Sequence, residues 1–289
     1  MRAVPSRGRV GSPPWRWGSG GGLRGKCDGV LRTVLATRYV TPLREGGSLP
    51  AIVEAEDAGL YVLKFRGAGQ GAKALIAELL AGELARAMGL RVPELVLTVL
   101  EPELGRAEPD SEIRALLKAS AGLNLGVDYL PGSITFDPVV GPVPGPVEAS
   151  DIVCFDAFVM NVDRTPRNPN LLIWHRALWL IDHGAALYFH HAWESAEASR
   201  SSAFAPIKDH VLLPWATRLH QASKTLLQRL TPEVVARTVE LIPEAWLAGE
   251  AGFSSPAEHR EAYRRWLVER LHASEGFIEE AERARAQLV

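Results

Sequence analysis

Cysteine is almost missing: Cys27 and Cys154 are the only two in 289 residues. They stand far apart in unrelated contexts, which excludes a disulfide framework and a cysteine-based zinc site and points to a reducing, cytoplasmic setting. No apolar run approaches the roughly 18 residues a membrane span needs, so no span is expected. Charge of one sign is also lacking. With Lys+Arg 32 and Asp+Glu 34 the formal net charge is −2, so no overall basic field draws the chain onto nucleic acid or an anionic membrane surface, and any anionic ligand must be held locally. The His-Glu-x-x-His zinc motif and the Gly-Lys-Ser/Thr ending of a P-loop do not occur. His175, His183, His190 and His191 lack ligand spacing and read as surface or core histidines, with His183 placed to position its neighbour Asp182.

Acid is absent from the first 26 residues, which carry Arg2, Arg7, Arg9, Arg16, Arg24 and Lys26 among Gly, Pro and Ser. Such a stretch cannot bury enough surface to fold, and residues 1–29 are expected to form a disordered basic leader, either a tether or dispensable sequence. It lacks the apolar centre of a secretory signal.

From Val30 onward the pattern is that of a packed domain. The runs VLRTVLATRYV, AIVEAE and LYVLKF are β-like, with Gly46-Gly47-Ser48 and Asp57-Ala58-Gly59 as turns between them. After Gly71, Ala72, Leu75, Ile76, Leu79, Leu80 and Leu84 recur at helical spacing, and Gly89 followed by Pro93 stops the helix. VPELVLTVL then returns as a strand, making residues 30–105 a small lobe built on an antiparallel sheet. SEIRALLKAS is helical, and the Gly- and Pro-rich stretch from Gly122 to Pro146 is expected to be a connector with loops. EASDIVCFDAFVMN has helical periodicity, and LLIWHRALWLID reads as a hairpin turning at His175-Arg176-Ala177. The last third is helical, with Thr231-Pro232 and Ser255-Pro256 as helix starts.

The chemistry gathers in FDAFVMNVDRTPRNPNLLIWHRALWLIDHG. Asp163 and Asn168 lie in a proline-containing loop between helix and hairpin, and Asp182 lies where the hairpin ends, so two short strands can swing it back beside Asn168. Phosphoryl transfer uses one carboxylate to orient or deprotonate a hydroxyl, and an amide oxygen with a second carboxylate to hold Mg²⁺ against nucleotide phosphates. Upstream, Lys64 sits inside an apolar strand where an unpaired ammonium is costly; nucleotide phosphates and Glu78 on the next helix are its natural partners. Gly46, Gly47 and Ser48 could close over phosphates through backbone N–H groups. The loop Arg66-Gly67-Ala68-Gly69-Gln70-Gly71 is either a hinge or a second phosphate cradle. Trp174, Trp179, Tyr188, Phe189 and Trp193 read as core rather than as a base-stacking platform.

On these residues the chain resembles the HipA-like kinases, over roughly residues 35–195. YVLKF is similar to the strand carrying the nucleotide-binding lysine, here Lys64, and AELLAGELARAMGLRVPE to the helix that carries its partner, here Glu78. DRTPRNPNLL resembles the catalytic loop, which implies Asp163 as the catalytic acid and Asn168, rather than Asn170, as a metal ligand; Asp182 falls at the second metal-binding Asp. The opening Asp163-Arg164 resembles the lipid-kinase version of this loop. The resemblance implies an α+β, two-lobed protein kinase-like fold, with a small antiparallel-sheet N-lobe and a mainly helical C-lobe over 106–289. It also implies ATP and Mg²⁺ as cofactors and most often a protein Ser/Thr acceptor. The rivals are a non-catalytic nucleotide-binding scaffold and a kinase-fold enzyme that acts on a small molecule or transfers AMP.

Overall fold

The computed structural model describes residues 31–43, 49–106 and 108–288. Five strands, β1 (Thr33–Pro42), β2 (Ala51–Ala55), β3 (Leu60–Lys64), β4 (Leu95–Leu100) and β5 (Gly122–Asp128), form a closed barrel in the order β1-β2-β3-β5-β4. Every pairing is antiparallel except the closing one, where β1 runs parallel to β4 with Thr33 opposite Leu97. The expected antiparallel sheet is thus present but curls shut.

Alternation within each strand explains what the barrel holds. Ala51, Val53 and Ala55 of β2, and Tyr61 and Leu63 of β3, point inward and pack with Val34, Ala36, Val96 and Leu100. Helix α2 (Ser111–Ala119), capped by the Asp110 carboxylate accepting from the Glu112 and Ile113 amides, plugs this interior with Leu117. The same period turns Val62 and Lys64 outward, onto the face where Val62 meets the second core.

That second core is the larger one. Helix α1 (Ala72–Met88) ends at Gly89 in the left-handed conformation, as its sequence predicts. It contributes Leu75, Ile76, Leu79, Leu80 and Leu84 to a cluster shared with α3 (Pro146–Val159) and the C-terminal helices. These are α4 (Ala196–Ser199), α5 (Leu219–Arg229), α6 (Pro232–Val239), α7 (Glu244–Leu247), α8 (Pro256–His272) and α9 (Ser274–Ala286). The hydroxyls of Thr231 and Ser255 cap α6 and α8, each followed by Pro. Two long-range hydrogen bonds join parts far apart in the chain: Trp246 Nε1 donates to Leu123 O of the barrel at 3.2 Å, and Arg229 Nη1 of α5 to Met88 O at the end of α1 at 3.1 Å.

A three-stranded sheet of β6 (Ile134–Thr135), β7 (Leu171–Trp174) and β8 (Ala177–Leu180) packs Leu171, Leu178 and Leu180 into the larger core. His175 and Arg176, with φ of 49° and 63°, make the two-residue turn of the hairpin, both in the left-handed region as a primed turn requires.

The stretch from Gly122, expected to be a connector with loops, holds more regular structure than that: its first seven residues form β5, the strand between β3 and β4. Gly126 is a packing device. A Cβ on Gly126 would lie 2.5 Å from Thr98 Oγ1 and 2.9 Å from Val96 Cγ2, so only glycine lets the neighbouring strand approach. Among the described residues no helix is long and apolar enough to cross a membrane, and Cys154 is a buried free thiol.

Candidate active site

Strand β3 delivers Lys64 to the gap between barrel and α1. Its ammonium lies 2.7 Å from Asp182 Oδ1 and 3.8 Å from Glu78 Oε2. Glu78 is buried on the core-facing side of α1, and its other oxygen lies 3.6 Å from His183 Nδ1, an electrostatic contact too long for a hydrogen bond. Burial alone would lower the Lys64 pKa, but the attraction of Glu78, Asp182 and Asp163 outweighs it and raises it. Burial likewise pushes Glu78 up, and the stronger pull of Lys64 and then His183 brings it down to about 2. The pair is therefore ionised. Asp182 differs in that its side chain is 41% exposed. Its φ of 54° turns the chain sharply at the end of the hairpin, a strained position for a residue with a Cβ.

The loop between α3 and β7 folds around Asp163. Oδ2 of Asp163 accepts from Asn168 Nδ2 at 2.7 Å and from Asn170 Nδ2 at 3.2 Å, and the Asp163 amide donates to Asn161 Oδ1 at 3.2 Å. Asn168 is exposed and Asn170 buried, so the two amides that hold Asp163 differ in their access to a ligand. Because Asn168 spends its amino group on Asp163, its carbonyl oxygen is left for another partner.

Beneath the loop runs a network that the sequence reading did not pick out. Arg164, 1% exposed, donates from Nε to Asp156 Oδ2 at 2.5 Å and from Nη1 to the carbonyls of Asn170 and Ile181. Asp156 also accepts from Asn161 Nδ2 at 3.1 Å and from His210 Nε2 at 2.9 Å. His210 Nδ1 accepts the Leu212 amide, so the ring is the neutral tautomer with its proton on Nε2. Its pKa is lowered by burial, which the Asp156 carboxylate only partly offsets. The Asp156 carboxyl, which burial alone would raise, is held well below the ordinary range by Arg164 and His210. The one signal in the sequence was a lone carboxylate in the middle of the apolar run VCFDAFV.

Five of the expected site residues are thus brought into two adjoining groups, Lys64 with Glu78 and Asp182, and Asp163 with Asn168. The attraction of Asp163 for Lys64 links the groups. Gly46, Gly47 and Ser48 lie outside the described residues, in the connection from β1 to β2. The Arg66–Gly71 loop is pinned: the Arg66 amide donates to Asn124 Oδ1 and the Gly67 amide to Ser120 Oγ, so neither is free to cradle a phosphate. His183 does not bond Asp182; its buried ring lies against Glu78 instead. His190 is buried and bonds Tyr263, Phe189 stacks on Trp266, and Trp193 sits edge-on to Phe253 and Tyr263, in keeping with a packing role.

No cluster of three His, Cys, Asp or Glu able to hold a metal occurs among the described residues. The donors at hand are hard oxygens, the Asn168 amide and the half-exposed Asp182 carboxylate. They fit Mg²⁺, which is held by one or two protein oxygens and completes its shell with water and phosphate, rather than a metal that needs a full protein cage.

The model of the HipA-like kinase family matches residues 37–279. The chain belongs to the HipA-like kinases. As a member of that family it is an ATP-dependent phosphotransferase. Among solved structures, the Helicobacter pylori proinflammatory kinase CtkA superposes with a TM-score of 0.51, at 12% identity, over 89% of this chain and 98% of its own. The Golgi casein kinase with Mn/ADP bound aligns at 0.49, with 13% identity, over 89% of this chain and 76% of its own. At 12% identity the likeness to CtkA is one of fold. No curated protein sequence matches the chain.

Proposed function

We propose that this HipA-like kinase transfers the γ-phosphoryl group of MgATP to a protein Ser or Thr hydroxyl in the cytoplasm. The nucleotide lies between two lobes, one the barrel and the other the helical body. The observation that carries this reading is the convergence of Lys64, Glu78 and Asp182 on one side of the gap with Asp163 and Asn168 on the other. A nucleotide-binding scaffold has no use for Asp163. In this reading Lys64, anchored by Glu78, holds phosphate oxygens, and Gly46, Gly47 and Ser48 close over them. Asn168 and Asp182 hold Mg²⁺, whose charge offsets that building up on the phosphates. Asp163 accepts the proton of the acceptor hydroxyl as its oxygen bonds to the γ-phosphorus and the bond to the ADP oxygen breaks.

Mass spectrometry of the protein, and of lysate proteins incubated with it and MgATP, tests the proposal. A phosphate gained on Ser or Thr supports it. A gained AMP would assign the fold to nucleotidyl transfer, and a phosphorylated metabolite to a small-molecule acceptor. Binding of ATP with no transfer to any acceptor would leave the scaffold.

A further inference from the structure

A buried arginine paired with a buried aspartate seldom repays its desolvation, and an apolar pair of equal volume is often as stable or more so. Arg164 and Asp156 are such a pair, both fully buried, and Arg164 Nη2 has no protein partner. Stability is therefore a weak reason for their presence. What Arg164 touches supplies a better one. Beyond Asp156 it binds two carbonyls, Asn170 O and Ile181 O, at the two ends of the β7–β8 hairpin. The Ile181 amide donates to that same Asn170 carbonyl at 3.1 Å, so guanidinium and backbone clamp the hairpin at its base.

Each group so tied adjoins a residue of the proposed chemistry. Asp163 precedes Arg164 in the chain, Asn168 lies two residues before Asn170, and Asp182 follows Ile181. A second path runs from Asp156 through Asn161 to the Asp163 amide. His210 enters from the segment before α5, and the Val211 amide returns to the Arg164 carbonyl at 3.0 Å. Resting on the site proposed above, we infer that Arg164 is a positioning residue for phosphoryl transfer. Its guanidinium sets the spacing between the Asp163 loop and Asp182, and Asp156 and His210 hold the guanidinium in orientation. Lysine is no substitute, because a single ammonium cannot span a carboxylate and two separate carbonyls.

The test uses the full chain and reads ATP turnover per folded molecule, KM for ATP and melting temperature together. Arg164→Lys is expected to lower kcat by about tenfold to a hundredfold, the usual loss when a reacting group is misplaced by an ångström. KM for ATP should rise by a smaller factor than kcat falls, since the Lys64–Glu78 pair stays in place while Asp182 shifts. Should Arg164→Lys not fold, His210→Gln, which removes one ring contact to Asp156, is expected to lower kcat several-fold with a smaller effect on KM. A loss of rate only in proportion to the folded fraction, or an unchanged kcat per folded molecule, makes Arg164 a structural residue and overturns the inference. If wild type turns over no ATP, the site reading itself fails and this inference with it. If wild type is active, Asp163→Ala is dead and Arg164→Lys is normal, only this inference fails.

Discussion

Asp163 and Asp182 are two carboxylates of one cleft with different surroundings, and the difference separates their roles. Asp163 is held by two side-chain amides from its own loop, whereas Asp182 pairs with an ammonium from another strand. Asp163→Ala should leave MgATP affinity near wild type and lower transfer by roughly 10²–10⁴, the range of a lost general base. Asp182→Asn should weaken nucleotide binding only when Mg²⁺ is present; titration calorimetry with and without the metal separates the two. If Asp163→Ala is the variant that loses Mg²⁺-dependent affinity, the assignments are reversed. Lys64 and Glu78 pose a different problem, because removing either leaves the other charge buried. Lys64→Met is expected to lower turnover and also to destabilise, by about 3–5 kcal/mol as broken buried pairs do. Adding Glu78→Gln should return part of the stability and none of the activity, a non-additivity that a double-mutant cycle measures directly. Simple addition of the two destabilisations would show that the pair is not coupled.

At the level of elements, α1, the β7–β8 hairpin and the starts of α6 and α8 were legible because their signals are local: apolar spacing, a turn with its flanks, a hydroxyl before proline. The proposed site was legible for a related reason, since Asp163, Asn168 and Asp182 fall on one loop and hairpin whose geometry is dictated over 20 residues. Strand β5 was not, because Gly122, Gly126 and the nearby prolines read as turns, whereas Gly126 serves close packing against β4. Nor was the Asp156–Arg164–His210 network, whose last member is 54 residues from the first and is joined to it only by the tertiary fold. His183 shows the limit of reading neighbours: the chain turns through the left-handed region at Asp182, and the His183 ring lies against Glu78 rather than bonding Asp182. The role assigned to Gly126 predicts that Gly126→Val, harmless to strand propensity, destabilises by about 1–3 kcal/mol through overpacking against Thr98 and Val96. Chemical denaturation would show it as a fall in midpoint, and an unchanged midpoint would remove the packing argument for β5.

For the molecule as a whole, the buried network makes stability depend on pH in a definite direction. His210 has a folded pKa below its unfolded value near 6.5, so its neutral form stabilises the fold above that pH, and stability declines as acid protonates the unfolded chain first. Asp156 is also depressed, so its contribution is present above the ordinary carboxylate range and is lost as pH falls further. Melting temperature should therefore fall in two stages, first below about pH 6.5 and then more steeply below about pH 4. His190 and His259, also lowered by burial, share the first stage, so His210→Gln should shrink it without touching the second; a wild-type curve flat from pH 7 to 5 contradicts neutral buried imidazoles.

Helix α1 belongs to the large core even though its carboxylate serves a lysine on the barrel. Kinases can be silenced by swinging such a helix outward, which breaks the ion pair. Here that motion would drag Leu75, Ile76, Leu79, Leu80 and Leu84 out of contact with the C-terminal helices. At roughly 2 kcal/mol for each buried side chain the cost is about 10 kcal/mol, as large as the whole stability of an ordinary domain. At that cost α1 is expected to stay soldered in place, and control through its displacement is not expected. Amide exchange in α1 is accordingly expected to be as slow without nucleotide as with it, and α1 amides that exchange rapidly until ATP is added would show a helix that still moves.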